Sequence, residues 1–205
     1  MKKAESTLIN MMMALVGVSL ITGSLLAYVN HLTEGPKAEL KTKMLVDGIC
    51  NVMGTSQVKV MDVDTVRQVC NGKEVTLVVH RIAGGGAAVE SMAMGFGGEL
   101  RLLVGFSTEG TIIDYMVLKH SETPGLGAKA TTWFRKGEKG DIVGTAPVTP
   151  LTVTKDGGTV DAITASTITS RAFLEAVNRA YAAYAKTVAD THKDTSVKVE
   201  KGDKV

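Results

Sequence analysis

The chain has 205 residues, 44% of them hydrophobic and 4% aromatic, and its 23 basic and 21 acidic residues leave a formal net charge of +2. A charge this close to balance excludes a nucleic-acid binder that depends on phosphate contacts, and the apolar content excludes a wholly disordered chain. The two cysteines and four histidines are not clustered, which excludes a zinc ribbon or a cysteine-ligated cluster held by this chain alone.

An uncharged segment near the start predicts a membrane anchor at residues 1–33. No Asp, Glu, Lys or Arg occurs from Ser6 to Thr33, and the most apolar part runs from Leu8 to Val29. As a helix, that part spans about 33 Å, enough to cross a hydrocarbon core. A cleaved signal peptide is the alternative, but its apolar region is usually only about 7–15 residues long. A buried core helix is the third interpretation, and the charge-free length argues against it.

Lysines flank this segment on both sides and nearly balance, so the default orientation places a short charged N-terminus in the cytoplasm and the body outside. Glu34-Gly35-Pro36 is a helix-breaking cluster, and the body is predicted at residues 34–189. Residues 190–205 are polar and are predicted to be a solvated C-terminal tail.

The body predicts an α+β fold with mostly antiparallel strands and helices on one side. Residues rich in β-formers occur at 58–63, 75–82, 100–106, 112–118 and 148–153. In the last of these runs Pro150 indicates an edge strand or an interrupted one. A helix from Ser170 to Ala189 is predicted because apolar side chains recur there at spacings of three and four. The predicted buried face of this helix comprises Phe173, Val177, Ala180, Tyr181, Tyr184 and Val188.

Two glycine clusters lie in the first half of the body. Gly84-Gly85-Gly86 predicts a hairpin or a bulge, and the segment Gly95-Phe96-Gly97-Gly98 could let the backbone approach a ligand closely. Neither cluster matches the dinucleotide-binding fingerprint. Cys50 and Cys70 could form a disulfide if the body is extracytoplasmic, or remain two buried thiols.

Two segments carry chemistry. The first, His120 to Lys129, has Pro-Gly at its centre, which favours a type II turn that exposes backbone N–H groups to a planar or anionic ligand. The second, Asp161 to Ser170, holds five hydroxyl residues within seven positions directly before the predicted helix. An ordinary connecting turn and simple helix capping are the alternatives, whereas a phosphate site would use the free N–H groups of the helix N-terminus.

The run Asp-x-x-Thr-Ala-Ser-Thr at 161–167 resembles the flavinylation motif Asp-x-x-(Ser/Thr)-Gly-Ala-(Thr/Ser) of FMN-binding domains. The anchor, the Gly95–Gly98 segment and the Glu-Thr-Pro-Gly-Leu-Gly turn extend the resemblance over nearly the full chain. The whole is similar to the G subunits of Rnf electron-transport complexes and to the C subunits of Na⁺-translocating NADH:quinone reductases. The length suits the Rnf family better.

The resemblance implies that FMN is joined by a phosphoester to the hydroxyl of Thr167. Thr164, Ala165 and Ser166 would shape the phosphate loop, and Asp161 would be recognised by a flavin transferase that uses FAD as donor. The turn residues implied to line the isoalloxazine side are Glu122, Thr123, Pro124, Gly125, Leu126 and Gly127. Charge places Lys129 near the ring or the phosphate, and Thr169 completes the predicted set.

This sequence departs from the motif at two positions. Ala165 stands where the family has Gly, and Ser166 stands where it has Ala. Both residues are small, so the loop should still fit. If the glycine position needs a positive φ, Ala165 carries a strain of about 1 kcal/mol. Ser166 adds a rival hydroxyl.

The function implied is a redox-carrier subunit, without a diffusible substrate, in a membrane complex coupling ferredoxin/NAD electron transfer to ion translocation. Its partners would be the other membrane and peripheral subunits and the flavin transferase. It would be a single-pass protein of the bacterial inner membrane with its soluble domain on the extracytoplasmic side. One alternative is a membrane-anchored binding or assembly module without flavin, and another is a stand-alone flavin reductase.

Overall fold

A computed structural model of the chain describes residues 7–55, 58–70 and 73–200, except for the side chains of 35–39, 41, 69, 70, 73 and 190–200. The chain divides into two compact units, Met1–Leu45 and Val46–Val205. The first unit contains most of one long helix. The second contains a sheet, a second long helix and the loops between them.

Helix α1 runs over Leu8–Met53. Its segment Leu8–Glu34 has 27 residues with a mean hydropathy of 2.0 and none of its most apolar window buried, so it is long and apolar enough to cross a membrane. The predicted break at Glu34-Gly35-Pro36 is wrong, because the helix continues through these residues. Proline removes one backbone donor, but the Ala, Leu, Lys and Met residues that follow are strong helix formers.

Five strands form one antiparallel sheet in the order β1-β2-β3-β4-β5, so each strand pairs with the next along the chain. The strands are β1 Val60–Cys70, β2 Lys73–Ile82, β3 Ala87–Met94, β4 Glu99–Phe106 and β5 Ile112–Lys119. This sheet and the helices confirm the predicted α+β class. The predicted runs at 75–82, 100–106 and 112–118 correspond to β2, β4 and β5, and the run at 58–63 is the start of the longer β1.

The strand predicted at 148–153 is absent from the described part of the chain. Val153 makes only an isolated parallel bridge to Val160. The amide of Asn178 instead holds the backbone of Leu151, accepting from its N–H at 2.8 Å and donating to its carbonyl at 2.9 Å. With Pro150 unable to donate, these side-chain bonds replace a strand ladder.

Helix α2, Thr167–Glu200, packs on the sheet. It begins three residues before the predicted start, so the hydroxyl-rich run enters its first turn. The predicted apolar face is confirmed, since Phe173, Val177 and Ala180 are fully buried. The Phe173 ring stacks on Phe134 with centroids 4.1 Å apart. The helix continues eleven residues past its predicted end at Ala189, to Glu200, so it includes the first part of the segment that the sequence assigned to the tail. The side chains from 190 onward lie outside the described residues.

The long loop between β5 and α2 contains two short 3₁₀ helices, Gly127–Thr131 and Thr154–Asp156. Tyr115 on β5 anchors it from inside the core. Its hydroxyl donates to the Ala130 carbonyl at 2.9 Å and accepts from the Phe134 N–H at 3.2 Å. Burial raises the pKa of Tyr115, so the hydroxyl keeps the proton that it donates. This anchor fixes the loop against the sheet near the start of α2.

The structure also describes the first glycine cluster and one of the two cysteines. Gly84, Gly85 and Gly86 all have positive φ in the turn between β2 and β3, which confirms the predicted hairpin. Cys50 is a half-buried free thiol. The side chain of Cys70 lies outside the described residues.

Candidate functional site

A cavity of about 420 Å³ opens where three segments of the second unit meet: the β3–β4 hairpin, the turn at 122–127 and the start of α2. It brings together the two segments that the sequence analysis singled out. The residues that line it are Phe96, Glu122, Thr123, Leu126, Gly127, Ala165, Ser166, Thr167, Ile168 and Thr169.

Glu122 ties these three segments together. Its side chain is buried, with the residue only 6% exposed. Its Oε1 accepts from the N–H of Gly97 at 3.2 Å, and its Oε2 accepts from the hydroxyl of Thr169 at 2.7 Å. A Cβ on Gly127 would lie 2.5 Å from the same Oε2. One carboxylate therefore sets the spacing of the hairpin, the turn and the helix.

The backbone of Gly95–Gly98 was expected to approach a ligand closely, but in the structure it packs closely against residues 121 and 122 of the protein. A Cβ on Gly97 would lie 2.0 Å from the carbonyl oxygen of Ser121, and one on Gly95 would lie 2.0 Å from Oε1 of Glu122. These glycines are required by the packing of the hairpin on the 121–122 segment. The neighbouring Phe96 is free to face the cavity.

Thr167 lies at the polar end of the cavity. It is half-buried and is the first residue of α2, where the backbone N–H groups have no intrahelical acceptor. Its Oγ1 accepts from Nζ of Lys155 at 3.3 Å. The helix N-terminus and this ammonium group both favour negative charge at the Thr167 hydroxyl.

A bidentate ion pair anchors the short backbone segment that carries Lys155. Arg171, one turn after Thr167 on α2, donates from Nε and Nη2 to the two carboxylate oxygens of Asp156 at 2.7 and 2.6 Å. The hydrogen bond from Arg171 lowers the pKa of Asp156, and that carboxylate raises the pKa of Arg171 in turn. The pair fastens the 3₁₀ helix Thr154–Asp156, and with it Lys155, to the first turns of α2.

Ala165 adopts the conformation that the motif's glycine would require. Its φ is +61°, and it is the one non-glycine residue with a positive φ in the described part of the chain. It stands third in a turn that the N–H of Ser166 closes on the carbonyl of Ile163 at 3.0 Å. A side chain at this φ carries steric strain.

Three large apolar side chains edge the cavity and remain open to solvent: Phe96 is 70% exposed, Leu126 42% and Ile168 52%. The cavity thus combines an apolar rim with the Thr167 hydroxyl at a helix N-terminus, and Lys155, which does not itself line the cavity, donates to that hydroxyl from its ammonium group. That combination suits a ligand with a flat apolar ring system and an anionic tail. Phe96 and Ile168 were not among the predicted site residues, and Lys155 carried no local signal.

The remaining predicted residues do not line this cavity. Pro124 and Gly125 form the exposed tip of the turn, with Gly125 at φ +76°. Asp161 and Thr164 are exposed. The backbone carbonyl of Asp161 accepts from the indole N–H of Trp133 at 2.8 Å. Lys129 is exposed on the 3₁₀ helix Gly127–Thr131 and does not line the cavity.

Comparison with known proteins places this site in a recognised domain. The FMN-binding domain family matches residues 95–182, a range that contains every residue lining the cavity. The chain is 32% identical over 167 residues to the G subunit of the proton-translocating ferredoxin:NAD(+) oxidoreductase complex of Clostridium ljungdahlii, covering 78% of this chain and 82% of the relative.

Two further relatives carry related names. The G subunit of the ion-translocating oxidoreductase complex of Methanosarcina acetivorans is 44% identical over 96 residues, covering 46% of this chain and 49% of the relative. The protein of the same name from Cereibacter sphaeroides is 29% identical over 169 residues, covering 78% of this chain and 77% of the relative. The chain therefore spans about half the length of the first of these relatives and more than three quarters of the second.

Proposed function

The chain belongs to the family of G subunits of ion-translocating oxidoreductase complexes, and we propose that it is an electron-transfer subunit whose FMN is joined by a phosphoester to Thr167. The observation that carries the proposal is the cavity itself. Thr167, the last residue of the flavinylation-like motif, has its hydroxyl at the polar end of this cavity, and apolar side chains edge the rest. The whole cavity lies within the residues that match the FMN-binding domain family.

The residues of the cavity fit the two halves of FMN. Phe96, Leu126 and Ile168 offer apolar surface to a ring system. Thr167, the first-turn N–H groups of α2 and Lys155 offer an attachment atom and positive potential to a phosphate. The buried side chain of Glu122 fixes the apolar part of the cavity relative to its polar part, because it accepts hydrogen bonds from Gly97 and Thr169.

FMN supplies reversible transfer of one or two electrons, which no side chain of this protein provides at moderate potential. The protein's part is to hold the ring at a fixed place and to limit its contact with water. A covalent link serves that end, because a carrier that hands electrons between fixed partners must not lose its cofactor by dissociation. Thr167 alone forms that bond in this proposal.

Membership of this family supports a membrane-bound location for the carrier and partner subunits around it. The apolar segment Leu8–Glu34 makes the chain a single-pass membrane protein, with residues 34–189 as the FMN-binding body. We place that body on the extracytoplasmic side of a bacterial inner membrane, where free FMN would be lost by dilution. Its partners would be the other membrane and peripheral subunits of a complex that couples ferredoxin/NAD electron transfer to ion movement.

Maturation would need a flavin transferase, because the Thr167 hydroxyl donates no hydrogen bond to a base among the described residues. FAD would be the flavin donor. Asp161 is exposed beside the attachment loop, where such an enzyme could contact it. Thr164, Ala165 and Ser166 form the loop that the transferase would have to accommodate.

Covalent flavin on a denaturing gel tests the proposal. The full chain is coexpressed with a flavin transferase, beside Thr167→Val, which keeps the side-chain shape and removes the hydroxyl. Ser166→Ala, which removes the rival hydroxyl, is the matched control. We expect fluorescence from the wild type and the control and none from Thr167→Val. Fluorescence that persists in Thr167→Val would refute the assignment.

A further inference from the structure

The hydroxyls around the start of α2 differ in what they bind. The hydroxyl of Thr169 donates to the carboxylate of Glu122 at 2.7 Å, and the hydroxyl of Ser170 donates to the carbonyl of Ser166 at 3.0 Å. The oxygen of Thr167 instead accepts a bond, from Lys155. Its proton has no protein acceptor among the described residues, so it is available for transfer.

Lys155 and Arg171 are the two cations beside Thr167, and they have different hydrogen-bond partners. Arg171 is bound through both of its nitrogens to Asp156. Lys155 makes no ion pair with a carboxylate within hydrogen-bonding range in the part of the chain that the structure describes. Its positive charge helps to lower the pKa of the neighbouring Asp156, and its ammonium group donates a hydrogen bond to the Thr167 oxygen at 3.3 Å.

We propose that Lys155 is the counter-cation of the phosphodiester formed on Thr167 and that it directs flavin transfer to this hydroxyl. The inference rests on the proposed attachment at Thr167. In the transfer, the bond from the flavin-side phosphorus of FAD to the bridging oxygen breaks and AMP leaves. A bond forms from that phosphorus to Oγ1 of Thr167, and the hydroxyl proton passes to a base of the transferase.

Lys155 contributes its positive charge to the transfer of the flavin phosphoryl group. Phosphoryl transfer places negative charge on the phosphoryl oxygens, and a cation next to the accepting atom stabilises it. After transfer, the phosphodiester retains one negative charge beside the same ammonium group. The Asp156–Arg171 pair makes Lys155 a pre-positioned group, because it fixes the 3₁₀ helix on which Lys155 sits.

Rates of covalent flavin attachment test the role of Lys155. The full chain in detergent is incubated with purified flavin transferase and FAD, and attachment is followed by intact mass. We expect Lys155→Gln to react about tenfold more slowly than the wild type, the effect of losing one charge-assisted hydrogen bond. Lys155→Arg, which keeps a cation, should retain most of the rate. Lys136→Gln, which removes an exposed lysine elsewhere in the body, should match the wild type.

The outcomes separate the two proposals. All three variants should unfold at the wild-type temperature, since both lysines are exposed, and a slow but folded Lys155→Gln supports the inference. A Lys155→Gln protein that loads at the wild-type rate overturns it, and so does a larger loss in Lys129→Gln than in Lys155→Gln. A wild-type chain that acquires no covalent flavin at all overturns the proposed function instead.

Discussion

Replacing Ala165 by glycine should stabilise the protein, although it removes atoms from the folded state. Ala165 has a φ of +61° in the turn that Ser166 closes on Ile163. The side chain is exposed, so removing its Cβ loses no core packing. The change acts only on backbone strain and on the freedom of the unfolded chain.

The magnitude follows from two opposing terms. A non-glycine residue in the left-handed region costs roughly 1–2 kcal/mol, which Ala165→Gly removes. Glycine gives the unfolded chain extra conformational freedom, which costs about 0.5–1 kcal/mol. The net gain in the free energy of unfolding is therefore about 0–1.5 kcal/mol. For a unit of this size, the middle of that range raises the unfolding temperature by roughly 1–3 °C.

The assay is thermal unfolding of the flavin-free full chain in detergent, followed by circular dichroism. Ala182→Gly is the matched control, because Ala182 is exposed within α2 and carries the same chemical change. Glycine in a helix interior costs about 1 kcal/mol, so the control should unfold at a lower temperature. If Ala165→Gly also lowered the unfolding temperature, the reasoning from backbone strain would be refuted.

Two further predictions concern the polar contacts of the site. Glu122→Ala should lower the free energy of unfolding in urea by about 1–3 kcal/mol, because it leaves the buried hydroxyl of Thr169 without its acceptor and also removes the acceptor of the Gly97 N–H. A loss below about 0.5 kcal/mol would contradict the bridging role. The variant Asp156→Asn tests the pH dependence of stability. Arg171 lowers the pKa of Asp156 in the folded state, so the pair stabilises the fold at pH values above the ordinary pKa of 3.8. That contribution is lost as the pH falls through the lowered pKa. Unfolding temperatures from pH 2 to 7 should show a smaller acid-induced drop in Asp156→Asn than in the wild type, and identical pH profiles would count against the pair.

Helices and strands with a clear hydrophobic or β-branched pattern were predicted correctly from the sequence. The β-branched runs at 75–82 and 112–118 and the three- and four-residue spacing after Ser170 became β2, β5 and α2. Strand β3, Ala87–Met94, was not predicted because its alanines, serine and methionines have little β-propensity alone, and its place between β2 and β4 decides its structure.

The site was predictable as two segments but not as one cavity. The resemblance indicated the 122–127 turn and the 161–167 run, and the structure joins them through the bond from Thr169 to Glu122, which no local pattern encodes. Lys155 was missed for the same reason. Its contact with Thr167 depends on a short 3₁₀ helix and on the pairing of Asp156 with Arg171, which are products of tertiary packing.

Tandem mass spectrometry of the protein from its native membrane addresses the covalent flavin most directly. Trypsin cuts after Lys155 and Arg171, which releases the whole hydroxyl-rich loop as one peptide. We expect that peptide to carry the mass of FMN less one water, with fragment ions placing the addition on Thr167. An unmodified peptide, or an addition on a different hydroxyl, would contradict the account.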